Sequence, residues 1–484
     1  MSQKLLLRLK LKKNKKMERT YIKDLPQKIG QEVLLKGWVD TRRDHGKLIF
    51  IDLRDKTGFV QVVFLPNSEG YQKAKELRGE WVIELVGKVN ERPKGMENSK
   101  LETGYIEIEA KSIIILNQSK TLPIDISTTG FEIGEEHRLK YRYLDLRRQR
   151  LQKNLRSRHQ IILLMRNYLS EKGFVEIETP ILTKSTPEGA RDYVVPSRLH
   201  HGKFYALPQS PQQYKQLLMV AGFEKYFQIA RCFRDEDTRG DRQPEFTQLD
   251  IEMSFSTQEE ILGMIEDLYL KIIRELFPEK TLTFEKFPRL TYKEVMEKYQ
   301  SDKPDLRKDK NNPNELAFAF VVNFPMFEWK ETEKRWDAVH HPFTKAQNPN
   351  NLSEEEFIKY LEQNPQKALA HQYDVVLNGY EIGGGSIREH NPKILQKVFE
   401  IMGNKPEEIR EKFGHMLEAF DHGVPPHGGI AMGVDRLVMI LMNEPSIREV
   451  IAFPKTGDGR DLMMNAPSEI DKQQLKELGI EIKK

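Results

Sequence analysis

Hydrophobic and polar residues alternate along two stretches near the middle of the chain, 226–233 and 246–255. In the second stretch one parity holds Phe246, Gln248, Asp250 and Glu252, and the other holds Leu249, Ile251 and Met253. A period of two predicts strands, with one face on a core and the other presenting acidic, amide and aromatic groups. The loop between them, residues 235–245, is rich in Asp, Glu and Arg, although hairpins usually need about 2–5 loop residues. A ligand-binding loop and a solvated hairpin both fit this segment on its own.

Five strand-like runs separated by glycine and charged turns predict a small all-β domain over residues 18–117. The runs are 33–39, 48–54, 59–65, 81–89 and 105–116. Five short strands in about 100 residues are typical of an OB-type Greek-key barrel, which binds single-stranded nucleic acid. Arg42, Arg43 and Lys47 lie near Phe50, which combines phosphate-neutralising cations with a ring that can stack on a base. Alternation alone favours Phe50 as a core residue instead.

The remaining pattern predicts an α+β fold with a second, larger domain over residues 151–484. Residues 118–150, with Pro123 and a basic cluster at their end, are predicted to form a hinge. A helix over 151–172 ends at Gly173, and residues 257–300 are predicted to be helical. Residues 301–314 form a polar loop rich in Pro and Asn, and an apolar helix follows Gly429 near the C-terminus.

Composition narrows the class of protein. Charged residues make up 31% of the chain and hydrophobic residues 38%, and no apolar run reaches the roughly 18 residues of a membrane span. The single cysteine, Cys232, excludes an intrachain disulfide and a thiolate metal cluster. These features fit a reducing compartment, so we expect a cytoplasmic protein.

The first 16 residues carry seven basic and no acidic side chains, although the net charge of the chain is only +4. This basic extension, residues 1–17, has three interpretations. It could be a nucleic-acid-binding arm, an organelle transit peptide, or an over-extended start, since Met17 opens a segment that needs nothing before it.

Helix signals surround the sequence QSPQQYKQLLMVAGF. Ser210 is predicted to cap the helix, Pro211 fits its first turn, and Gly222 closes it. Gln212 and Lys215 then lie three residues apart on one face at the positive end of the helix, where an anion is stabilised. A surface lysine on an ordinary helix is the alternative.

A predicted hairpin brings two carboxylates together. Asn378–Gly379 is the preferred two-residue turn, and it pairs Val376 with Glu381, so that Asp374 lies diagonal to Glu381 on one face at about 7–8 Å between backbones. Like charges repel, and such a pair can share Mg²⁺ with nucleotide phosphates. The glycines that follow allow a ligand to approach the backbone closely, and Arg388 comes directly after this glycine-rich strand.

Two further segments carry charged or imidazole groups. In the apolar stretch GGIAMGVDRLVMILM, Arg436 either closes a structural salt bridge or reaches a ligand phosphate. His340 and His341 suggest a zinc site, but adjacent residues of a strand point to opposite faces, which argues against zinc.

Together these segments resemble the class II aminoacyl-tRNA synthetases, specifically the bacterial aspartyl type, from about Met17 to the C-terminus. FRDED and RQPEFTQLDIE resemble motif 2 of the family, GIAMGVDRLVMIL resembles motif 3, and GFVEIETPIL resembles motif 1 with its dimer-interface proline, Pro180. QSPQQYKQ, HHPFT and GGGSIR resemble aspartate-type signatures. The resemblance implies a homodimer with an antiparallel catalytic sheet flanked by helices, and an N-terminal OB-fold that binds the anticodon.

The resemblance also implies a reaction and its site residues. ATP and L-aspartate form aspartyl-adenylate, and the aspartyl group then passes to the 3′ end of tRNA(Asp). Arg234 and Arg436 are the implied catalytic residues, and Asp374 and Glu381 the implied Mg²⁺ ligands. The implied aspartate-binding residues are Glu188, Gln212, Lys215, Arg234, Asp250, His340 and Arg388. The implied ATP-binding residues are Arg234, Asp235, Glu236, Gln243, Phe246, Glu381, Gly433, Val434, Asp435 and Arg436.

The anticodon residues implied by the resemblance are Arg43, Phe50, Gln61, Arg92 and Glu107. Bacterial members of the family carry an extra domain after a stretch similar to SDKPDLR. In this chain that domain is missing, and only the short loop over 301–314 stands in its place. His45 lies beside the anticodon residues and favours the type that also charges tRNA(Asn). An asparaginyl or lysyl enzyme, or a non-catalytic paralogue that binds RNA, are the alternatives. Lys215 and Arg388 argue against the asparaginyl enzyme, because its substrate side chain is neutral.

Overall fold

The computed structural model describes residues 17–99, 101–185 and 189–483. The chain divides into two compact units, residues 1–123 and 124–484. Residues 124–150, most of the predicted hinge, therefore belong to the second unit. Within this segment the fully buried Asp145 accepts hydrogen bonds from Arg142 (2.8 Å) and Arg148 (2.6 Å), and an ion pair between Arg138 and Glu449 attaches the segment to the rest of the unit.

The first unit is a closed five-stranded barrel, which confirms the predicted OB-fold. Its strands are β1 (Glu32–His45), β2 (Leu48–Asp55), β3 (Gly58–Phe64), β4 (Val82–Glu91) and β5 (Ile106–Asn117), in the order β1-β2-β3-β5-β4. The short helix α1 (Tyr71–Ala74) and a 3₁₀ helix (Ile22–Lys28) accompany them. Ile49, Ile51 and Leu53 are buried in the barrel core, whereas Phe50 is only half-buried and belongs to the outer face. Treating Phe50 as a core residue is therefore wrong.

The second unit is built on a mixed, mainly antiparallel sheet. Its strands are β6 (Val175–Glu176), β9 (Lys225–Phe233), β10 (Glu245–Ser254), β12 (Arg289–Thr291), β14 (Phe318–Val322), β17 (Gln372–Leu377), β18 (Tyr380–Ile387) and β19 (His427–Gly433). They lie in the order β12-β14-β17-β18-β19-β10-β9-β6. Three two-stranded sheets pair β7 (Val194–Pro196) with β8 (Phe204–Ala206), β11 (Thr281–Leu282) with β13 (Glu315–Leu316), and β15 (Phe327–Lys330) with β16 (Arg335–Ala338).

Helices flank this sheet, in agreement with the predicted fold class. They are α2 (Glu135–Lys140), α3 (Arg142–Asp145), α4 (Gln149–Glu171), α5 (Gln212–Val220), α6 (Gln258–Leu276), α7 (Tyr292–Tyr299), α8 (Glu354–Gln363), α9 (Pro392–Ile401), α10 (Pro406–Phe420), α11 (Val434–Leu441) and α12 (Lys472–Leu478). The main core lies between the sheet and α4, α6 and α11. Because Leu249 and Ile251 of β10 enter this core, their alternate neighbours face the opposite side of the sheet, where the candidate site lies.

Two segments differ from the sequence-based expectation. Residues 257–300 are not helical throughout, because β11 and β12 lie between α6 and α7 and pair with strands after residue 314. The polar loop over 301–314 leads directly into β13. Glu315 holds the conformation of this loop, because its carboxylate accepts hydrogen bonds from the amides of Lys308 (2.9 Å) and Asp309 (3.0 Å).

Candidate active site

A cluster of four buried charges lies on the polar face of the sheet. Asp250 and Glu252 come from β10, Lys215 from α5, and Arg388 follows β18. The Lys215 Nζ lies 2.6 Å from Asp250 Oδ1 and 3.3 Å from Glu252 Oε2. Arg388 donates from Nε and Nη2 to the two oxygens of Glu252 at 2.9 and 3.0 Å. We call these four residues the charge quartet; its formal charge is zero.

The quartet changes the titration of its acids. Burial opposes the ionisation of Glu252, but Arg388 and Lys215 together lower its pKa to about 2. Burial raises the pKa of Asp250 although Lys215 opposes that shift. Two-point pairing with an arginine fork is the strong form of a charge-assisted hydrogen bond, so Glu252 fixes the plane of Arg388.

The quartet corrects one expectation from the sequence. Lys215 and Arg388 are not two unpaired cations waiting for an anion, because each already has a carboxylate partner. Glu252 is the residue that the sequence reasoning missed. Its shared parity with Asp250 on β10 was the available signal, but nothing in the sequence joined it to an arginine 136 positions away.

Arg234 lies immediately after β9, at the base of the motif 2 loop. Its guanidinium carbon is 5.1 Å from the centroid of the Phe246 ring, and its backbone amide donates to Pro244 at 2.9 Å. Within the described part of the chain, the buried Nε has no hydrogen-bond partner. The ring therefore orients an arginine whose donor is available to an anion.

The motif 2 loop residues expected at ATP have mixed surroundings. The amide of Asp235 donates to the Arg191 carbonyl at 3.0 Å, and Glu236 is exposed with Arg242 at 3.3 Å. Gln243 is buried, and its carbonyl oxygen accepts a hydrogen bond from the Lys455 amide at 2.7 Å. The side chain of Glu236 is thus the most accessible of this set.

Residues at the start of α11 divide into two kinds. Arg436 donates from Nη1 to the Glu381 carbonyl at 2.7 Å, and its Nη2 lies 3.1 Å from Asp241 Oδ2, so it has a salt bridge but stays 22% exposed. Asp435 pairs with Arg158 and accepts from the Thr247 amide at 2.8 Å, so its carboxylate holds α11 against β10. Gly433 and Val434 lie at the β19–α11 junction, where they offer backbone rather than polar side chains.

The hairpin of β17 and β18 has the predicted turn and an unpredicted bulge. Leu377 pairs with Tyr380 and Val376 with Glu381, as the sequence indicated, but Ile382 is an extra residue. Asp374 therefore lies opposite Gly384, and the regular diagonal expected between Asp374 and Glu381 is wrong.

The two acids nevertheless converge. A β-carbon at Gly384 would lie 3.0 Å from Asp374 Oδ1 and 3.4 Å from Glu381 Oε1, so both carboxylates flank the space above that glycine. Burial and the charge of Glu381 raise the pKa of Asp374 well above its usual value. A β-carbon at Gly384 would also lie 3.1 Å from His340 Cε1, so that ring borders the same space. Two repelling carboxylates form a donor set that fits a hard divalent cation.

His340 and His341 do not lie on a strand, so the argument that they face opposite sides is wrong. They follow β16 in an irregular segment, where His340 is exposed and His341 is half-buried, and their ring centroids are 6.5 Å apart. Desolvation by the surrounding protein, with Arg388 and Arg234 nearby, lowers the pKa of His340 to about 4. His340 is therefore a neutral neighbour of the cations at pH 7.

Gln212 is the first residue of α5, and its Nε2 donates to Gln216 Oε1 at 2.9 Å. The helix is capped at Pro211, without a side-chain hydrogen bond, rather than at Ser210 as predicted. Glu188 lies outside the described residues. The segment after it is anchored by Gln209, which exchanges hydrogen bonds with the backbone of Ala190 at 3.0 and 2.8 Å.

The candidate anticodon residues share one outer face of the barrel. Phe50 lies opposite Arg43, and Gln61 lies opposite Glu107 and donates to it at 2.9 Å. Asp52, which the sequence reasoning did not assign, pairs with Arg43 at 2.9 Å. Burial lowers the pKa of Arg92, while Glu107 and Asp52 oppose that shift. His45 is exposed at the adjacent β1–β2 turn.

A mainly antiparallel sheet with an arginine-bearing motif 2 hairpin, joined to an OB-fold, defines a class II aminoacyl-tRNA synthetase. Residues 134–457 match the family described as tRNA synthetases class II (D, K and N), and residues 33–116 match the OB-fold nucleic acid binding domain. The chain belongs to the class II tRNA synthetases of the D, K and N group. This confirms the family and enzyme class predicted from the sequence.

Relatives with named activities cover nearly the whole chain. The chain is 42% identical to the aspartate–tRNA(Asp/Asn) ligase of Dehalococcoides mccartyi (94% of this chain, 97% of that protein), and 41% identical to the aspartate–tRNA ligase of Staphylococcus aureus (94% and 97%). The first alignment extends over 591 positions, more than the 484 residues here, so that relative has segments without a counterpart in this chain.

Solved structures agree on the fold. The asparaginyl-tRNA synthetase of Pyrococcus horikoshii, complexed with asparaginyl-adenylate, superposes with a TM-score of 0.72 at 25% identity, covering 91% of this chain and 98% of that one. The aspartyl-tRNA synthetase of Entamoeba histolytica gives 0.70 at 24% identity, covering 91% and 92%. None of the helices in the described part of the chain is long and apolar enough to cross a membrane.

Proposed function

We propose that this protein is an aspartate–tRNA ligase. It activates L-aspartate with ATP, releasing pyrophosphate, and transfers the aspartyl group to the 3′-terminal ribose of tRNA. The observation that carries the choice of amino acid is the donor pattern left on the charge quartet. The relatives that are named aspartate–tRNA ligases support the same choice.

The two cations of the quartet, Arg388 and Lys215, leave only donors for a ligand side chain. Arg388 has five N–H groups, and the contacts from Nε, Nη2 and Nη1 to Glu252 and Ser386 leave two of them. Lys215 has three N–H groups and contacts two carboxylates. A carboxylate presents two acceptors to such a surface. A carboxamide presents one acceptor and one donor, so asparagine would place its amino group against an N–H.

Within this proposal the remaining residues bind the ends of the two substrates. Asp250 and Gln212, with Glu188, would bind the substrate ammonium, and His340 would lie beside the side-chain carboxylate. Arg234 would hold the α-carboxylate and the α-phosphate in contact, and Arg436 would meet the γ-phosphate. Phe246 would stack under the adenine that Glu236 reads. The chain then acts by positioning the attacking carboxylate oxygen and by neutralising phosphate charge.

Asp374 and Glu381 would hold Mg²⁺, which supplies charge neutralisation at the phosphates of ATP. We predict that Asp374→Asn raises the Mg²⁺ concentration needed for half-maximal pyrophosphate exchange by about tenfold or more, because one of two anionic ligands is lost. A magnesium titration of exchange measures this. Asp305→Asn, which affects an acid paired with Arg307 outside the site, is the control. An unchanged requirement in Asp374→Asn would remove that residue from the metal site.

The outer face of the barrel would bind the anticodon, with Phe50 stacking on a base. We predict that Phe50→Ala lowers tRNA charging at limiting tRNA by about tenfold, since base–aromatic stacking contributes about 1–3 kcal/mol per base. Adenylate formation should be unchanged, because that step does not involve the anticodon. Aspartate-dependent pyrophosphate exchange is the comparison. Equal losses in both assays would exclude this role for Phe50.

The tRNA partners include tRNA(Asp), and tRNA(Asn) as a second substrate. His45 at the β1–β2 turn and the relatives named Asp/Asn ligases support the wider range. Charging assays with the two purified tRNAs test it. Aspartylation of both is expected, and a rate with tRNA(Asn) at the level of an unrelated tRNA would contradict it.

A homodimer formed through motif 1 completes the proposal. Ile181 and Leu182, next to Pro180, are 48% and 53% exposed, which suits coverage by a second copy.

An asparaginyl enzyme is the second candidate, because asparaginyl synthetases are among the structural neighbours. The donor-only surface of Arg388 and Lys215 disfavours it.

A further inference from the structure

A chain of buried polar groups runs from Gln212 to His427, whose backbone carbonyl accepts a hydrogen bond from the amide of Arg388 in the charge quartet at 2.9 Å. Gln212 Nε2 donates to Gln216 Oε1 at 2.9 Å, and Gln216 Nε2 lies 3.1 Å from His427 Nε2. His427 Nδ1 lies 2.8 Å from the Pro425 carbonyl oxygen. Gln216 and His427 are fully buried and Gln212 is 5% exposed, so water does not compete for these bonds.

The direction of every bond in this polar chain follows from its far end. The Pro425 carbonyl can only accept, so His427 Nδ1 must carry a proton. Burial lowers the pKa of His427 to about 4, so the ring is neutral at pH 7 and Nε2 is an acceptor. Gln216 must therefore present its amino group to His427 and its carbonyl oxygen to Gln212.

The consequence reaches the candidate substrate site. Gln212 has to direct its amino group inward to Gln216, which turns its carbonyl oxygen outward. Among the described residues, Gln212 Oε1 has no hydrogen-bond partner. A carbonyl oxygen is the group that a substrate ammonium requires, whereas an amide amino group would set donor against donor.

We propose that His427 and Gln216 are positioning residues, which fix the carboxamide of Gln212 with its oxygen toward the ammonium of the amino-acid substrate. This inference rests on the proposed function of the site. Without the polar chain, the Gln212 carboxamide can turn by half a rotation and present the wrong group. Loss of the polar chain should therefore weaken binding of the amino acid and leave binding of ATP unchanged.

Variants of the polar chain separate this role from simple packing. His427→Leu and Gln216→Leu are each expected to raise the KM for aspartate about tenfold, with kcat and the KM for ATP within about twofold, as for the loss of one oriented hydrogen bond. His427→Gln can place a carbonyl oxygen near the former Nε2 and should restore most of the affinity. Pyrophosphate exchange at varied aspartate and varied ATP gives these constants.

The same helix provides a matched control. Gln213 is also buried, and its Oε1 lies 2.7 Å from His415 Nε2, but this glutamine–histidine pair is separate from the polar chain. Gln213→Leu should leave the KM for aspartate unchanged. An increase equal to that of Gln216→Leu would show that any buried glutamine of α5 has this effect, and would overturn the proposal.

A measurement on the unaltered protein covers the case in which the leucine variants do not fold. Nitrogen NMR of the imidazole should find His427 neutral and protonated at Nδ1 at pH 7; protonation at Nε2 would overturn the proposal. Failure of this positioning role can be distinguished from failure of the proposed function, because every amino-acid substrate carries an ammonium group. If the protein activated another amino acid, the same KM pattern would be expected with that substrate.

Discussion

Arg388→Leu is expected to lower kcat/KM for aspartate in pyrophosphate exchange by at least about 10³-fold, while ATP binding survives. The substitution removes the two free N–H groups of the guanidinium and the fork that Glu252 holds in plane. Sites built on buried polar pairing discriminate by roughly 10⁴–10⁵ against ligands that leave groups unpaired. Loss of Arg388, the protein partner of the substrate carboxylate, should lower kcat/KM for aspartate by a factor of similar size.

The same variant also tests the charge quartet as a structural unit. Without Arg388, Lys215 at 3.3 Å is the one ion-pair partner left to Glu252 among the residues that the structure describes, and breaking a buried ion pair costs about 3–5 kcal/mol. Arg289→Leu is a matched control, because Arg289 pairs with Glu266 at 2.7 Å elsewhere in the same unit. Normal aspartate turnover in a folded Arg388→Leu protein would contradict the site assignment. ATP affinity measured by calorimetry reports whether the ATP site is intact.

Arg234→Ala is expected to lower kcat for adenylate formation by about 10³-fold with a smaller change in the KM for aspartate. The Arg234 guanidinium lies against the Phe246 ring, and its buried Nε has no partner among the described residues. An arginine held ready in this way stabilises charge that develops at phosphorus, an effect of about 10²–10³ for one preorganised donor and more for a full charge. Single-turnover formation of adenylate measures the step directly.

The matched control for this prediction lies on the same strand. Arg231 of β9 is exposed and forms a salt bridge with Glu245, the first residue of the neighbouring strand β10. Arg231→Ala should leave adenylate formation within about twofold. If the two alanine variants lost activity equally, the effect would belong to the hairpin rather than to the guanidinium of Arg234.

The parts of the fold that the sequence predicted are those set by local pattern. The period-two alternation of β10 identified the face of Asp250, and Asn378–Gly379 fixed the turn and the first pairs of its hairpin. Short runs between glycines likewise identified the barrel. Each of these depends on residues close in sequence, where side-chain period and turn chemistry determine the geometry.

The features that were missed depend on distant partners. β11 and β12 are strands because β13 and β14, more than 25 residues further along, supply their hydrogen bonds. The bulge at Ile382 and the pairing of Glu252 with Arg388 arise from the assembled sheet and have no local signature. Alternation alone favoured the core for Phe50, and this was wrong because alternation gives the parity of a strand but not which parity faces the core.

Pyrophosphate exchange with the unaltered protein, driven in parallel by aspartate and by asparagine, tests the central claim most directly. The donor-only surface of Arg388 and Lys215 predicts exchange with aspartate and at least about 10³-fold less with asparagine at equal concentration. Exchange driven by asparagine and not by aspartate, or by neither, would contradict the account.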